Sequence, residues 1–259
     1  MKTKRIAELQ AYIQKHETVS LDELVEQFAV SKNTIRNDVQ ELVKSGHFKK
    51  IYGGVSVNYS PALPFQDRKI RNHNAKVRIA EQAARYVKDG DIVFIDSGTT
   101  TLEMVHFMED KKVTIVTNNI DLIIQALPYE NLTVYSSGGM LERRTKSLTS
   151  INIRESLEDY NINKAFLAST GISIKNGVTN SVPLESELKA LAVKHIDTNF
   201  LVVDHKKFDQ SALTTYCTLD KIDYLITDQL PSKDYVDFAN KHNIQLVVAP
   251  EKTGSTVSK

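Results

Sequence analysis

Between residues 74 and 249, apolar runs rich in Val, Ile and Leu recur seven times: 91–95, 113–117, 132–136, 164–169, 199–203, 224–227 and 244–249. Amphipathic helical stretches lie among them, at 75–87, 100–108, 119–127, 151–159, 185–195 and 233–242. A strand that is apolar along its whole length must be covered on both faces, and strands separated by helices pair in parallel. The pattern therefore predicts an α/β domain over 74–250 with a largely parallel sheet. The polar tail 251–259 is expected to fray.

In sheets of this kind, ligands sit beyond the C-terminal ends of the strands. After the first run stands Asp96-Ser97-Gly98-Thr99-Thr100-Thr101, leading into a helix. Free amides, hydroxyls and a helix dipole there would cradle a phosphate or another anion; an ordinary Ser/Thr helix cap is the plainer reading. No G-x-x-x-x-G-K-[ST] motif occurs, which argues against nucleotide triphosphate hydrolysis. Further candidates are Asn118 after the second strand, Gly138-Gly139 after the third, Ser169-Thr170-Gly171 after the fourth and Asp204 through Lys207 after the fifth. Glu185 and Lys189 stand one turn apart on a helix, a spacing most often used by a surface ion pair.

The first sixty residues follow other rules. Ile6, Leu9 and Ile13 mark a helix over 4–16, and Ser20 with Glu23 forms a capping box for a short second helix. Ser31 caps a third helix that buries Ile35, Val39, Leu42 and Val43 and ends at Gly46. That helix exposes Lys32, Asn33, Arg36, Asn37 and Gln40, side chains able to meet base edges and phosphates. Residues 47–57 read as a β-hairpin bending at Gly53-Gly54 and carrying Lys49 and Lys50. The expected unit is a winged helix-turn-helix over 3–58, followed by an irregular linker over 59–73.

Charge agrees with this division. Residues 1–90 hold 16 Lys/Arg against 10 Asp/Glu, a balance of +6; residues 91–259 hold 17 against 22, a balance of −5. The excess is small, and polyanion contact, if any, is expected in the first segment. Cys217 stands alone, so no internal disulfide forms; it reads as a small core residue. The seven histidines lack metal-ligand spacing, no cofactor motif is found, and no metal or cofactor is expected. His205 reads as a hydrogen-bonding surface residue rather than a base. No apolar run reaches the roughly 18 residues of a membrane span and no signal peptide is evident, so a cytoplasmic protein is expected.

These residues resemble the DeoR family of bacterial sugar-metabolism repressors. The N-terminal likeness rests on Arg5, Leu9, Ile13, the segment Ser31-x-x-Thr34-Ile35-Arg36-Asn37-Asp38-Val39, Gly46 and Tyr52-Gly53-Gly54-Val55. The family usually has Arg-Arg-Asp at Arg36-Asn37-Asp38 and His-Gly-Gly-Ala at Tyr52 to Val55. Asp38 reads as a structural acid paired with a nearby basic side chain. In the second domain the likeness rests on Gly98-Thr99-Thr100, Thr117-Asn118, Gly138-Gly139, Ser169-x-Gly171, Glu185 with Lys189, Asp204-x-x-Lys207-Phe208, and Lys76. It spans about residues 3–249.

The resemblance implies a repressor that binds double-stranded operator DNA and responds to a phosphorylated sugar, working as a homo-oligomer, a dimer or tetramer. DNA contact would fall to Ser31, Lys32, Asn33, Thr34, Arg36, Asn37, Lys49, Lys50 and Tyr52. The effector would meet Asp96, Ser97, Gly98, Thr99, Thr100, Thr101, Asn118, Gly138, Gly139, Glu185 and Asp204, with Lys76, Lys189 or Lys207 supplying positive charge. The implied second domain is similar to ribose-5-phosphate isomerase, which keeps a sugar-phosphate isomerase with an appended DNA-binding domain as the alternative. That enzyme's Asp-Gly-Ala-Asp and Lys-Gly-Gly-Gly segments are absent, which points to binding without turnover.

Overall fold

A computed structural model of the chain describes residues 2–16, 18–44, 48–57, 64–150, 157 and 159–251. Gly46, most of the stretch 151–159 expected as a helix, and the tail 252–259 lie outside the described residues. The chain divides into two compact units, Met1–Pro61 and Ala62–Lys259.

In the first unit, α1 (Lys2–His16), β1 (Thr18–Ser20), α2 (Leu21–Phe28), α3 (Lys32–Lys44), β2 (Phe48–Ile51) and β3 (Gly54–Val57) follow in order. The spaced apolar residues Leu9, Ile13, Leu24, Ile35, Val39 and Leu42 close one core with Val19, Phe48 and Val55. The hairpin gains a third strand that the sequence did not signal, because β1 has only three residues; the order is β1-β3-β2, all antiparallel. Gly54 is required there, since a Cβ would stand 2.5 Å from the Val19 carbonyl oxygen. Only half of the expected capping box forms. The Glu23 amide donates to Ser20 Oγ at 3.0 Å, while the Glu23 carboxylate accepts from the Tyr12 hydroxyl at 3.1 Å.

The second unit opens with α4 (Phe65–Ile70) and α5 (His73–Ala84). Helix α4 falls within the stretch expected as irregular linker, because six residues are too few to display a period. Phe65 joins the core that holds Ile79 and Leu102, and its amide donates to the Arg144 carbonyl at 2.9 Å.

The chain continues through β4 (Ile92–Ile95), a 3₁₀ helix (Thr101–Phe107), β5 (Val113–Thr117), α6 (Ile120–Ala126) and β6 (Leu132–Ser136). The hairpin β7 (Met140–Glu142) and β8 (Ser147–Thr149) leads toward β9 (Lys164–Leu167), β10 (Gly171–Ser173) and β11 (Gly177–Asn180). Then come α7 (Pro183–His195), β12 (Thr198–Val202), β13 (Thr214–Cys217), β14 (Tyr224–Thr227), α8 (Lys233–Lys241) and β15 (Gln245–Val248). The element expected as an α-helix at 100–108 is the 3₁₀ helix, and the small sheet β10-β11-β13 was not foreseen.

The seven apolar runs form one parallel sheet in the order β15-β14-β12-β9-β4-β5-β6. Alternation along β4 sends Val93 and Ile95 into the core under α5 and Phe94 into the core under α7. From β4 the chain builds outward through β5 and β6; from β9 it builds outward the other way through β12, β14 and β15. The switch point therefore lies between β4 and β9, and the crevice beyond their C-terminal ends is where a doubly wound sheet places its ligand.

Candidate functional site

Helix α3 is held from both sides. Ser31 Oγ accepts from the Thr34 amide at 3.2 Å and pairs with Thr34 Oγ1 at 2.9 Å, so both hydroxyls serve the helix start. Asp38 is buried and meets Arg5 Nε at 2.7 Å, which fixes α3 against α1. On the opposite face Asn33, Arg36, Asn37 and Gln40 are exposed. Lys32, also exposed, reaches Asp22 at 2.5 Å. Asn33, Arg36, Asn37 and Gln40 line a groove completed by Lys50, Ile51, Gly53 and Gly54 of the hairpin. Lys49 is exposed but does not line that groove, and Tyr52 stands fully exposed at the hairpin tip.

In the second unit the sequence-chosen residues gather at the switch point, though most are buried. Asp96, fully buried, accepts from the Gly98 amide at 2.9 Å, Thr101 Oγ1 at 2.7 Å and the Ala168 amide at 2.8 Å, and meets Lys189 Nζ at 2.8 Å. It is the stitch between the ends of β4 and β9. The Glu185–Lys189 spacing does not mark a surface pair. Both side chains are buried; Lys189 faces Asp96, and Glu185 accepts from Ser147 Oγ at 2.6 Å and Asn180 Nδ2 at 2.9 Å. Gly98 is required by packing, since a Cβ would stand 2.4 Å from that of Ala168.

Above this stitched base lies the polar loop. Lys76 on α5, only 3% exposed, donates to Thr99 Oγ1 at 2.9 Å and to the Arg68 carbonyl. Burial pushes the Lys76 ammonium down to about 8; Asp204 opposes this, and the neighbouring Lys207 and Arg68 add to it. Lys207 is half-buried and also lowered, by burial first, with Asp204 again opposing and Arg68, Arg71 and Lys189 repelling. Asp204 thus acts on both lysines, Glu103 adds its charge on the Lys76 side, and Asp96 is spent on Lys189. Asp204 also accepts from Asn72 Nδ2 at 3.1 Å and from the Lys206 amide at 3.0 Å, which holds the turn bearing Lys207. Asn118 Nδ2 donates to Ser97 Oγ at 3.4 Å, while Asn118 Oδ1 is buried with no hydrogen-bond partner among the described residues.

Gly138 and Gly139 have positive φ (+68° and +103°), and a Cβ on Gly139 would stand 2.3 Å from the Thr149 carbonyl oxygen. They turn the chain into the β7–β8 hairpin. Sequence reasoning missed Arg68, Asn72 and Asn180. Arg68 belonged to a basic run just upstream of Lys76, the one signal that could have drawn attention to it. Cys217 is half-buried and its thiol is pushed up to about 12, the state of an inert packing residue. His205 pairs with Asp228 at 2.7 Å. Among the described residues no three His, Cys, Asp or Glu side chains converge on a metal position, and no helix is long and apolar enough to cross a membrane.

The family model described as DeoR-like helix-turn-helix domain matches residues 5–60, and that described as DeoR C terminal sensor domain matches residues 71–229. The chain is 40% identical to the HTH-type transcriptional regulator IolR of Bacillus subtilis, over 96% of this chain and 100% of that protein. It is 29% identical to the glycerol-3-phosphate regulon repressor of Escherichia coli, over 88% and 91% of the two chains. The HTH-type transcriptional repressor GlcR of Bacillus subtilis matches at 25% over 96% and 97%. Among solved structures, ribose 5-phosphate isomerase A from Methanocaldococcus jannaschii aligns at 15% identity and a TM-score of 0.40, over 53% of this chain and 55% of that one; a likeness so distant carries no functional argument.

Proposed function

The chain belongs to the DeoR family of transcriptional regulators, and on that premise we propose that its second unit senses a phosphorylated sugar and thereby sets the operator affinity of its first. The chain is a DNA-binding regulator and not an enzyme. In this reading Arg36, Asn37 and Asn33 meet base edges in the major groove, while Lys49, Lys50 and Tyr52 meet the backbone. Ser31 and Thr34 shape the start of the helix; whatever they offer DNA comes beyond that duty.

One observation carries the ligand reading: Lys76 and Lys207 converge beside the hydroxyl loop 97–101 with Asp204 as their shared counterion. Burial disfavours both ammonium groups, so a bound anion would restore charge that the fold leaves uncompensated. A dianionic phosphoryl group suits such a place, with Thr99, Thr100 and Ser97 as hydroxyl donors. The unpartnered Asn118 Oδ1 and the Asp204 carboxylate suit sugar hydroxyls. Asp96 and Lys189, bonded to each other, and Glu185, joined to Lys189 through Asn180, would form the floor of the cleft in this reading. A single winged helix binds DNA weakly, so the working form is a homo-oligomer on repeated half-sites. The reading is tested by operator titration with a panel of sugar phosphates, where one of them should change the affinity by roughly 5–150-fold.

A further inference from the structure

Helix α4 is too short to persist by its own propensity. Its start at Pro64 has no side-chain cap, and Gln66, Asp67 and Ile70 are exposed. What keeps it helical is attachment elsewhere. Phe65, 1% exposed, anchors its first turn in the core. The Arg68 guanidinium and the Lys146 ammonium lie 5.3 and 5.5 Å from the centroid of the Phe65 ring. At the other end the Arg68 carbonyl, which belongs to a last turn lacking intrahelical donors, accepts from Lys76. Two residues after α4, Asn72 has a left-handed backbone (φ 52°) and its side-chain amide is tied to Asp204. Two tethers beyond Phe65, at the Arg68 carbonyl and at Asn72, therefore end on residues of the candidate ligand cleft.

We infer that Lys76 is the coupling element of the sensor: its ammonium clamps α4 through the Arg68 carbonyl while touching the ligand loop through Thr99, and an anion in the cleft draws it off the carbonyl and frees α4. This rests on the ligand reading proposed above. The competition has a clear sign, because an ammonium bonds a phosphoryl oxygen more strongly than a neutral carbonyl. Only residues 58–64 separate Val57, the end of the last wing strand, from Phe65. A change in α4 is thus delivered to the first unit along the chain itself. Thermodynamic linkage then requires the reciprocal effect: anything that loosens α4 raises affinity for the anion.

The test uses the full-length chain and inorganic phosphate as the probe. Binding is followed by phosphorus NMR line broadening, and backbone opening by hydrogen–deuterium exchange of the segment 66–71. With phosphate bound, exchange in 66–71 should speed up by roughly tenfold, the factor carried by a lost charge-assisted hydrogen bond, while α5 stays protected. Phosphate that binds while 66–71 exchanges at the same rate or more slowly overturns the coupling and leaves the ligand reading standing. Phosphate that causes no broadening overturns both. Phe65→Leu keeps an apolar anchor but removes the ring beneath the two cations. It should bind phosphate roughly two- to fivefold more tightly, and unchanged or weaker binding counts against the inference.

Discussion

The DNA-facing helix of the first unit and the cleft of the second use the same kinds of residue in opposite ways. On α3 the polar groups that matter are exposed, and two of the residues first assigned to DNA, Ser31 and Thr34, are occupied in capping. In the cleft nearly every charged group is buried and held by another: Asp96 by Lys189, Glu185 by Ser147 and Asn180, Asp204 by Asn72. A surface that meets a flexible polyanion in water can leave its side chains free, since desolvation waits for the partner. A cleft that meets a small ligand must carry buried charge continuously and therefore needs an internal network. On the proposed reading, function in the first case is spread over independent side chains; in the second it rests on a base that cannot be altered piecemeal.

Breaking that base should give the largest effect. Lys189→Met leaves the Asp96 carboxylate buried without its counterion, and loss of one partner of a buried pair costs about 3–5 kcal/mol. Urea unfolding should show the second unit losing that stability while the first unit's transition stays put. A loss near 0.5 kcal/mol would mean that the cleft behaves like a surface after all. Thr99→Val removes the hydroxyl that joins Lys76 to the loop, and effector response in an operator-binding assay should need roughly 10–150-fold more ligand. Arg36→Ala should weaken operator binding by roughly 5–150-fold and leave effector affinity unchanged, measured by calorimetry on the same preparation.

A smaller effect sharpens the contrast through pH. Lys76 is lowered to about 8 by burial, and an anion favours its charged form, so ligand binding takes up a proton once pH rises past that value. Effector affinity should be flat between about pH 7 and 7.5, where the phosphoryl group is already dianionic, and fall by up to roughly tenfold per unit above pH 8. DNA binding by the effector-free protein should not follow that curve, since Lys76 lies in the other unit. The smallest effects belong to the wing: Lys49→Ala and Lys50→Ala should each reduce the salt slope of DNA binding by about one, across all sequences alike.

Much of this was legible in the sequence, for identifiable reasons. Each of the seven parallel strands falls on a Val/Ile/Leu run, because a strand covered on both faces leaves a signal no loop imitates. That Asp38 pairs with some basic side chain was legible as an acid out of place on that helix, and the fold identifies the partner as Arg5. Three things were hidden. Short elements such as β1 and α4 exist through tertiary contacts and carry no period of their own. Glu185 and Lys189 look like a surface pair along the helix, and only the fold shows that each turns to a partner distant in sequence. The glycines at 138 and 139 advertise backbone freedom, and only the fold shows that they use it to turn the chain into a hairpin.

The central claim is that a phosphorylated sugar held by Lys76, Lys207 and the loop 97–101 controls DNA affinity. Its most direct test is an operator-binding isotherm for wild type and Thr99→Val, each titrated with sugar phosphates and with the same sugars lacking phosphate. The account predicts that one phosphorylated sugar shifts wild-type operator affinity by roughly 5–150-fold, that its unphosphorylated form does not, and that Thr99→Val binds the operator normally but needs at least about tenfold more effector. Equal responses of the two proteins, or equal potency of the unphosphorylated sugar, would contradict it.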